Sequence, residues 1–258
     1  MSDGHYPPFS PLLPSTARIY DFLAGGKDNY DADRYVAEKL IAGYPQLRAA
    51  VRLAHWFALR AAEWLSHIGI EQFADLGTGV PRMPYLHERV PNKRVVYVDN
   101  DRVVAAHGRA LLEQWPTSRF VYADFTATAE FTEKLSSALD LTQPVAVMLG
   151  LVLDFLPRPA AVIKMLAEVL APGSCLVISH IAADLSPHAR GMQSVFSDHG
   201  TDFFPRTHDE LAALLTGHTL INPGLVPVDL WIPTDANTDR SPTQSKDPVA
   251  CYGVVAQL

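Results

Sequence analysis

From residue 70 onward, short apolar runs alternate with segments whose apolar residues recur at helical spacing. The runs with the length and composition of β-strands are residues 72–76, 94–98, 119–123, 145–150 and 174–179. The pattern predicts helices between them, near residues 82–90, 101–115, 126–140 and 158–170. Strands that are apolar on both faces and alternate with helices are typical of a parallel sheet covered on both sides. We therefore predict a doubly wound, Rossmann-like α/β domain.

The two ends of the chain depart from this alternation. Before the first strand, apolar spacing predicts three helices, over residues 16–23, 32–42 and 45–67. After the fifth strand, we predict a helix over residues 207–215 and strands over residues 225–232 and 250–258. The proline-rich residues 1–14 and the polar residues 233–248 lack apolar periodicity. We interpret them as an irregular arm and a long surface loop.

Composition narrows the classes of protein that fit this fold. The chain has 258 residues, 48% of them apolar, which is enough for one large core. Its formal net charge is −7 and it has no basic block, so we expect no nucleic-acid partner. Without a secretory signal or an apolar run of membrane-spanning length, we expect a cytoplasmic protein with no membrane association. The oligomeric state stays open, with a homodimer as one option.

Cys175 and Cys251 are the two cysteines of the chain, and both lie in apolar, strand-like runs. They would meet only if their strands are neighbours, and we expect buried free thiols. Neither they nor the histidines have the spacing of a metal site, so no metal is predicted.

The first predicted strand ends in a glycine-rich turn, Gly77-Thr78-Gly79, preceded by Asp75. In a doubly wound sheet, ligands bind at the carboxyl ends of the strands, close to the turn after the first one. Glycine there permits positive φ and lets backbone amides approach a ligand. Position 82, where the dinucleotide fingerprint has its third glycine, is Arg. The turn therefore favours a nucleoside ligand without a phosphate over a dinucleotide.

Acidic residues follow the second and third strands. Asp99, with Asn100 after it, is placed to accept hydrogen bonds from both hydroxyls of a ribose, whereas Asp101 is a predicted helix cap. Asp124 can accept from the amino group of an adenine, and the backbone of Phe125 can contact the ring. Each feature alone is equally well explained as a turn or a cap. Their occurrence at three successive strand ends indicates a nucleoside site.

With these motifs, the sequence resembles the class I methyltransferases that use S-adenosyl-L-methionine (SAM). More narrowly, residues 14–30, PSTARIYDFLAGGKDNY, are similar to the signature of the actinobacterial S-adenosyl methyltransferase family, also called domain of unknown function 574 (DUF574). Residues 72–79, 95–101 and 172–180 support the resemblance, which covers nearly the whole chain. It implies a seven-stranded, mostly parallel sheet of order 3-2-1-4-5-7-6 with the last strand antiparallel. It also implies an N-terminal arm and helical lid, residues 1–67, over a SAM-binding domain, residues 68–258.

The resemblance also implies which residues contact SAM. The turn carrying Gly77, Thr78 and Gly79, together with Asp75, would line the methionine part. Asp99 and Asn100 would contact the ribose, and Asp124 and Phe125 would contact the adenine.

Polar residues of the N-terminal signature surround Gly25-Gly26 without an obvious packing role. We interpret them as a lid that contacts the amino-acid end of the cofactor and excludes water. The candidate cofactor-binding residues of this lid are Arg18, Tyr20, Gly26, Lys27 and Asn29, and Asp21 lies among them. The alternative is a capped helix end with solvated charges.

Two residues are candidates for catalysis, although methyl transfer depends mainly on in-line positioning and needs a base only for an acceptor that must lose a proton. Asp154 follows the fourth strand, at a position where family members typically have His, and His180 ends the fifth strand. The alternatives are a helix cap for Asp154 and a hydrogen-bonded structural role for His180. Phe196, Phe203 and Phe204 form either an acceptor-pocket wall or part of the core.

The sequence thus predicts a SAM-dependent methyltransferase acting on an oxygen or nitrogen atom of a small molecule. Asp154 leaves open a SAM-binding enzyme with a non-methylating reaction, such as SAM cyclisation or use of SAM as a scaffold. A non-catalytic SAM-binding module is a third hypothesis. A dehydrogenase is disfavoured because the third glycine is absent.

Overall fold

The computed structural model describes residues 10–233 and 249–258 of the chain. Its centre is a parallel sheet whose strands lie in the order β3-β2-β1-β4-β5. The strands are β1 (Gln72–Leu76), β2 (Arg94–Asp99), β3 (Ser118–Tyr122), β4 (Val145–Gly150) and β5 (Cys175–Ile181). The side chains of β1, β2, β4 and β5 are mostly buried on both faces, because helices cover both sides of the sheet, whereas β3 at the edge is partly exposed. The doubly wound fold predicted from the apolar pattern is confirmed.

The C-terminal strand lies inside the sheet rather than at its edge. This strand, β8 (Cys251–Gln257), pairs antiparallel with β5 along seven residues. Two short strands, β6 (Thr219–Leu220) and β7 (Val226–Pro227), pair with its other side. The described sheet therefore has the order β3-β2-β1-β4-β5-β8-β6, in which the last strand separates β5 from the strands that precede it in the chain. This agrees with the arrangement implied by the family resemblance.

One predicted strand is much shorter than expected. Of residues 225–232, the two residues of β7 lie in register with β8, and the N–H of Val228 donates to the carbonyl of Cys251 at 3.0 Å. The backbone N–H of Leu230 donates to the carbonyl of Pro227 in a turn, at 2.9 Å, which ends the ladder. The region thus contributes two minimal strands, β6 and β7, where a single longer one was predicted, and the described sheet has eight strands instead of seven.

Helices pack on both faces of the sheet. Three precede β1: α1 (Thr16–Ala24), α2 (Asp31–Gly43) and α3 (Leu47–His67). Those in the crossovers are α4 (Leu86–Arg89), α5 (Arg102–Leu111), α6 (Thr128–Ala138) and α7 (Pro159–Val169), and α8 (Met192–Ser197) and α9 (His208–Leu214) follow β5. The long helix α3 packs on β4, β5 and β8, and α1 and α2 pack on one another and on α3. The apolar residues of α1, α2 and α3 belong to the same hydrophobic core as this face of the sheet.

The N-terminal helices are fastened to the end of β2 by a cluster of polar contacts. The Nε of Arg18 donates to Asp33 Oδ2 at 2.8 Å, and both side chains are buried. The hydroxyl of Ser15 donates to Asp101 Oδ2 at 2.7 Å. Asp101 also caps α5, as predicted, by accepting from the backbone N–H of Val103 at 2.7 Å. One carboxylate therefore joins α1 to the helix that follows β2.

Cys175 and Cys251 are buried free thiols, and they lie at opposite ends of the β5–β8 pairing. No described helix is both long and apolar enough to cross a membrane. Within residues 10–233 and 249–258, no cluster of side chains has the make-up of a metal site. The arm predicted over residues 1–14 falls partly outside the described residues, and the loop predicted over residues 233–248 almost entirely outside them.

Candidate active site

Two adjoining cavities open at the carboxyl ends of the parallel strands, beside α1. The larger one, about 680 Å³, reaches from the ends of β2 and β3 to the segment after β4. The smaller one, about 160 Å³, lies between the end of β1, helix α3 and residues 79–86. Both are lined by Ala17, Tyr20, Gly77, Thr78, Gly79, Gly150 and Leu151. The glycine-rich turn therefore lies where the two cavities meet.

The turn needs glycine for steric and conformational reasons. Gly77 and Gly79 have φ values of 69° and 68°. A Cβ at Gly77 would lie 2.4 Å from Cγ2 of Val152, so the close approach of the β4 segment also requires glycine there. The hydroxyl of Thr78 donates to the carbonyl of Asp75 at 2.9 Å and fixes the turn. The turn lies at the carboxyl ends of the strands, beside both cavities, and its role in ligand binding stays a prediction.

Asp99 is held in the wall of the larger cavity by two backbone amides. The N–H of Gly79 donates to its Oδ2 and the N–H of Asp101 to its Oδ1, each at 2.8 Å. The residue is only 8% exposed, and burial raises its pKa to about 6. Each carboxylate oxygen retains a lone pair that can accept a further hydrogen bond. Asn100, the next residue, lines the same cavity.

Asp124 and Phe125 line the same cavity at the end of β3. One oxygen of Asp124 accepts from the backbone N–H and the hydroxyl of Thr126, at 2.8 and 2.6 Å, which fixes the carboxylate. The ring of Phe125 packs edge-on against Phe131, with 6.5 Å between the centroids. The larger cavity thus brings together the residues that the sequence assigned to ribose and adenine, and Arg18 and Tyr20 of α1 border it too.

Other residues of the N-terminal signature act through Asp21, which lines the smaller cavity. Its Oδ2 accepts from Asn29 Nδ2 at 2.7 Å and from the backbone N–H of Asp28 at 2.9 Å. A Cβ on Gly26 would lie 1.8 Å from its Oδ1, so any larger residue there would displace the Asp21 carboxylate. Gly26 and Asn29 therefore position a carboxylate and line neither cavity themselves. Lys27 is exposed and also lines neither.

The smaller cavity collects charges of both signs. Asp75 and Asp21 supply carboxylates, and burial raises the pKa of Asp75 to about 7 and also raises that of Asp21. Arg82 supplies a guanidinium beside Asp21. Burial lowers the pKa of His55 to about 3, so its imidazole is neutral. Two carboxylates and one guanidinium can bind a zwitterion such as an α-amino acid group.

Sequence reasoning missed Arg82 and left His55 unassigned. Arg82 was noticed only because glycine is absent at that position. A basic residue shortly after a glycine-rich turn was the available signal, because the same loop returns to the ligand edge. His55 lies in the middle of an amphipathic helix, where nothing in the local pattern separates it from a core residue.

The two predicted catalytic residues lie together, but they line neither of these two cavities. Asp154 and His180 are both 0% exposed. Asp154 Oδ1 accepts from the backbone N–H of Ile181 at 2.9 Å and lies 3.1 Å from His180 Nδ1. Burial raises the pKa of Asp154 to about 8 and lowers that of His180 to about 3. The geometry therefore gives neither side chain a route to a bound acceptor.

Arg206 closes this buried pair from the outside. Its Nη1 lies 2.8 Å from His180 Nε2 and donates to the carbonyl of Leu153 at 3.0 Å, while its Nη2 donates to that of Leu156 at 2.7 Å. Because a guanidinium can only donate, Nε2 is the acceptor and Nδ1 carries the proton of the neutral ring. Nδ1 then donates to the carbonyl of Ile181, at 2.9 Å. The network links the ends of β4 and β5 to the segment before α9.

The backbone at the junction of the cavities is strained. Leu151, directly after β4, has a φ of 54°, in the left-handed region that non-glycine residues rarely adopt. Its N–H donates to the carbonyl of Ser179 at 3.1 Å, which holds this conformation. Such outliers persist where the surrounding structure enforces them, and they concentrate at functional sites.

Known structures match this chain over nearly its full length. A DUF574 family protein from Streptomyces avermitilis is 33% identical, with a TM-score of 0.86 and coverage of 95% of this chain and 97% of that one. A candidate methyltransferase from Thermobifida fusca is 30% identical, with a TM-score of 0.86 and 98% coverage of both chains. The plantazolicin methyltransferase BamL, in complex with S-adenosylhomocysteine (SAH), is 12% identical with a TM-score of 0.56 and covers 93% and 95% of the two chains; it shows the shared fold alone. No curated protein sequence matches the chain.

The fold, the glycine-rich turn and the acidic strand ends define a class I SAM-dependent methyltransferase. The model of the S-adenosyl methyltransferase family matches residues 10–258, and the chain belongs to that family. SAM is accordingly its cofactor.

Proposed function

We propose that the protein transfers the methyl group of SAM to an oxygen or nitrogen atom of a small-molecule acceptor. When bound, SAM supplies an electrophilic methyl group on a sulfonium. The observation that carries the proposal is that the site at the strand ends consists of two cavities that meet at the glycine-rich turn. The lining of the larger cavity suits a nucleoside, and the charges of the smaller one suit a zwitterion. The residues present suit the two ends of SAM separately.

Side chains of the larger cavity would hold the adenosine. Asp99 accepts hydrogen bonds from the ribose hydroxyls, since its carboxylate is already oriented by two amides. Asp124 and Phe125 border the adenine. A volume of about 680 Å³ exceeds what a nucleoside needs and leaves space for an acceptor beside it.

Side chains of the smaller cavity would hold the amino-acid end. Asp21 and Asp75 are placed to pair with the ammonium group, and Arg82 with the carboxylate. This assignment gives the N-terminal helices a direct task, because α1 carries Asp21 into the site. It also explains why Gly26 and Asn29 belong to the signature, since they fix that carboxylate.

Two measurements on the purified protein test the proposal. Isothermal titration should show SAH binding that the Asp21→Asn and Arg82→Gln variants weaken more than an exposed control, Asp198→Asn. Mass spectrometry of incubations with SAM and a small-molecule mixture should show SAH together with a product heavier by one CH₂. SAM consumption that yields another SAM-derived product and no methylated compound would favour a non-methylating reaction. Binding without any turnover across the mixture would favour a SAM-binding module.

A further inference from the structure

The two ends of the larger cavity differ in chemistry. The end near β2 and β3 carries Asp99, Asp101, Arg102 and Asp124. The end near the segment after β4 is lined mainly by Tyr20, Leu151, Val152, Phe155 and Leu156, with Thr201 at the margin. Given the proposed function, on which this inference rests, the nucleoside occupies the polar end. The apolar end is then the space from which an acceptor approaches the junction of the two cavities.

Two aromatic rings form a corner in this apolar end. Tyr20 and Phe155 both line the cavity, and their rings meet edge to face, with centroids 5.9 Å apart and planes at 75°. We call this pair the Tyr20–Phe155 corner. Aromatic rings prefer edge-to-face and offset-stacked neighbours, so such a corner favours a third flat ring over an aliphatic group of equal size.

The corner is held from behind. Phe155 packs edge-on against Phe196 at 5.4 Å and against Phe203 at 5.5 Å, and those two rings stack on each other at 4.8 Å. Phe196 and Phe203 are 1% and 3% exposed, so they belong to the core and do not touch the cavity. They fix the orientation of Phe155, which keeps the wall in place before an acceptor binds.

The apolar end offers no side-chain base among the described residues. Arg18 lies 3.9 Å from Asp101, so the titratable groups of this cavity other than Tyr20 cluster towards its polar end. The hydroxyl of Tyr20 is buried and has no hydrogen-bond partner among the described residues, and burial raises its pKa well above the usual value, so it stays protonated. Asp154 and His180 line neither of the two cavities.

We infer that the acceptor is an uncharged aromatic compound that packs in the Tyr20–Phe155 corner and presents a hydroxyl or ring nitrogen to the cofactor without help from a side-chain base of that apolar end. The transfer forms a bond from the acceptor oxygen or nitrogen to carbon and breaks the carbon–sulfur bond, whose electron pair stays on sulfur. A ring nitrogen attacks with its lone pair. A hydroxyl acceptor releases its proton to solvent water.

The test uses SAH-loaded protein and four probes: naphthol, quinoline, decahydronaphthol and naphthoate. Ligand-observed NMR should show naphthol and quinoline binding at least about tenfold more tightly than decahydronaphthol and naphthoate. Phe155→Ala should weaken naphthol at least about tenfold, since it removes a large ring from a preformed wall. Phe155→Leu, which keeps more of the side-chain volume, should weaken naphthol to a smaller degree. The control Tyr35→Ala removes an exposed ring on α2 and should leave naphthol affinity unchanged.

Calorimetry with SAH is done first on each variant, and unchanged SAH affinity shows that the variant is folded. Equal or tighter binding of decahydronaphthol or naphthoate overturns the inference, as does failure of both aromatic probes to bind. Naphthol affinity that is unaffected in both Phe155 variants also overturns it. An ultraviolet titration of bound naphthol should give a hydroxyl pKa no lower than in water, and a lowered value would reveal a base. None of these readouts needs turnover, so a lack of methyl transfer would count against the proposed function alone.

Discussion

Polar residues lie at or just beyond the carboxyl ends of all five parallel strands, but their surroundings differ. At the ends of β1, β2 and β3, Asp75, Asp99 and Asp124 line cavities. At the ends of β4 and β5, Asp154 and His180 are 0% exposed, and both form hydrogen bonds with the backbone of Ile181. Both groups lie at the same edge of one sheet and have similar chemistry. Their position at a strand end therefore does not by itself distinguish a ligand-binding residue from a structural one.

What packs over each strand end makes the difference. Over β2, α1 is fastened by Ser15 and Arg18 and leaves space beneath it. Over β4 and β5, the segment before α9 closes directly: the N–H of Phe204 donates to the carbonyl of Asp154 at 2.7 Å, and Arg206 covers His180. Depending on this cover, the same kind of side chain contributes either to binding or to the stability of the fold.

We call the covered ends of β4 and β5, with Asp154, His180 and Arg206, the closed region, and the cavity-lining ends of β1, β2 and β3 the open region. Disrupting the closed region should have the largest effect, which is a loss of stability. Arg206→Ala removes donors from two buried carbonyls and from His180, and leaves Asp154 without its neighbouring cation. Hydrogen bonds from a charged donor to buried acceptors are worth about 1.5–3 kcal/mol each, so we expect a loss of about 3–5 kcal/mol, which corresponds to a Tm lower by roughly 6–20 °C in a chain of this size. Thermal and urea unfolding measure it, with the exposed Arg190→Ala as the matched control. A variant of unchanged stability that loses SAH binding would instead place Arg206 in the open region.

Breaking the open region should affect binding more than stability. Asp99→Ala removes the acceptor proposed for both ribose hydroxyls, and we expect SAH affinity to fall more than tenfold, on the scale of about 1.5–3 kcal/mol for hydrogen bonds to charged groups. Calorimetry measures the affinity, and thermal unfolding without ligand should show a smaller loss than in Arg206→Ala, because the two amides that donate to Asp99 border a cavity where water can replace the carboxylate. The exposed Asp198→Ala is the control. Unchanged affinity in Asp99→Ala would remove this residue from the ribose site.

A pH titration sharpens the comparison, because burial raises the pKa of Asp99 to about 6 and that of Asp75 to about 7 in the unliganded protein. In the proposed function, SAM and SAH bind to the ionised carboxylates, so their binding lowers both pKa values, and affinity is full above them. It should fall as the pH drops through about 7 and then about 6, by at most about tenfold per pH unit for each proton.

Calorimetry with SAH from about pH 8 to about pH 5 follows this dependence. Asp99→Asn should remove the step near 6 and retain the one near 7. Affinity that does not vary with pH in the unaltered protein would contradict the assignment of both carboxylates.

The same distinction explains how far the sequence could be interpreted. The sheet and its glycine-rich turn follow from local patterns, because apolar runs and their polar ends repeat within each strand–helix unit. The positions of Asp99 and Asp124 beside a cavity were predictable for that reason. The lining of the smaller cavity was less predictable. The position of Asp21 depends on the fold of the turn at Gly26, and the position of Arg82 depends on a loop that returns to the strand ends.

Which segment packs over a strand end is determined by the tertiary structure, and it was the feature that the sequence predicted least well. The local sequence around Asp154 and His180 does not indicate that Arg206, 26 residues beyond His180, packs over them. The prediction of a strand over residues 225–232 was wrong in its length for a local reason, because the turn at Pro227 ends the pairing with β8. Side-chain type at a strand end was informative, whereas accessibility could be known only from the folded chain.

The smallest expected effect concerns Lys27, which the N-terminal signature predicted to contact the cofactor. Its side chain is exposed and lines neither cavity, so Lys27→Ala should change SAH affinity by no more than about twofold, within the usual range of exposed substitutions. Asn29→Ala, two residues along, releases the Asp21 carboxylate and should weaken SAH more than Lys27→Ala does. Calorimetry on both variants compares them under the same conditions. A large loss in Lys27→Ala would mean that α1 and its turn move inward when the cofactor binds, so that the cover of the open region would also respond to ligand.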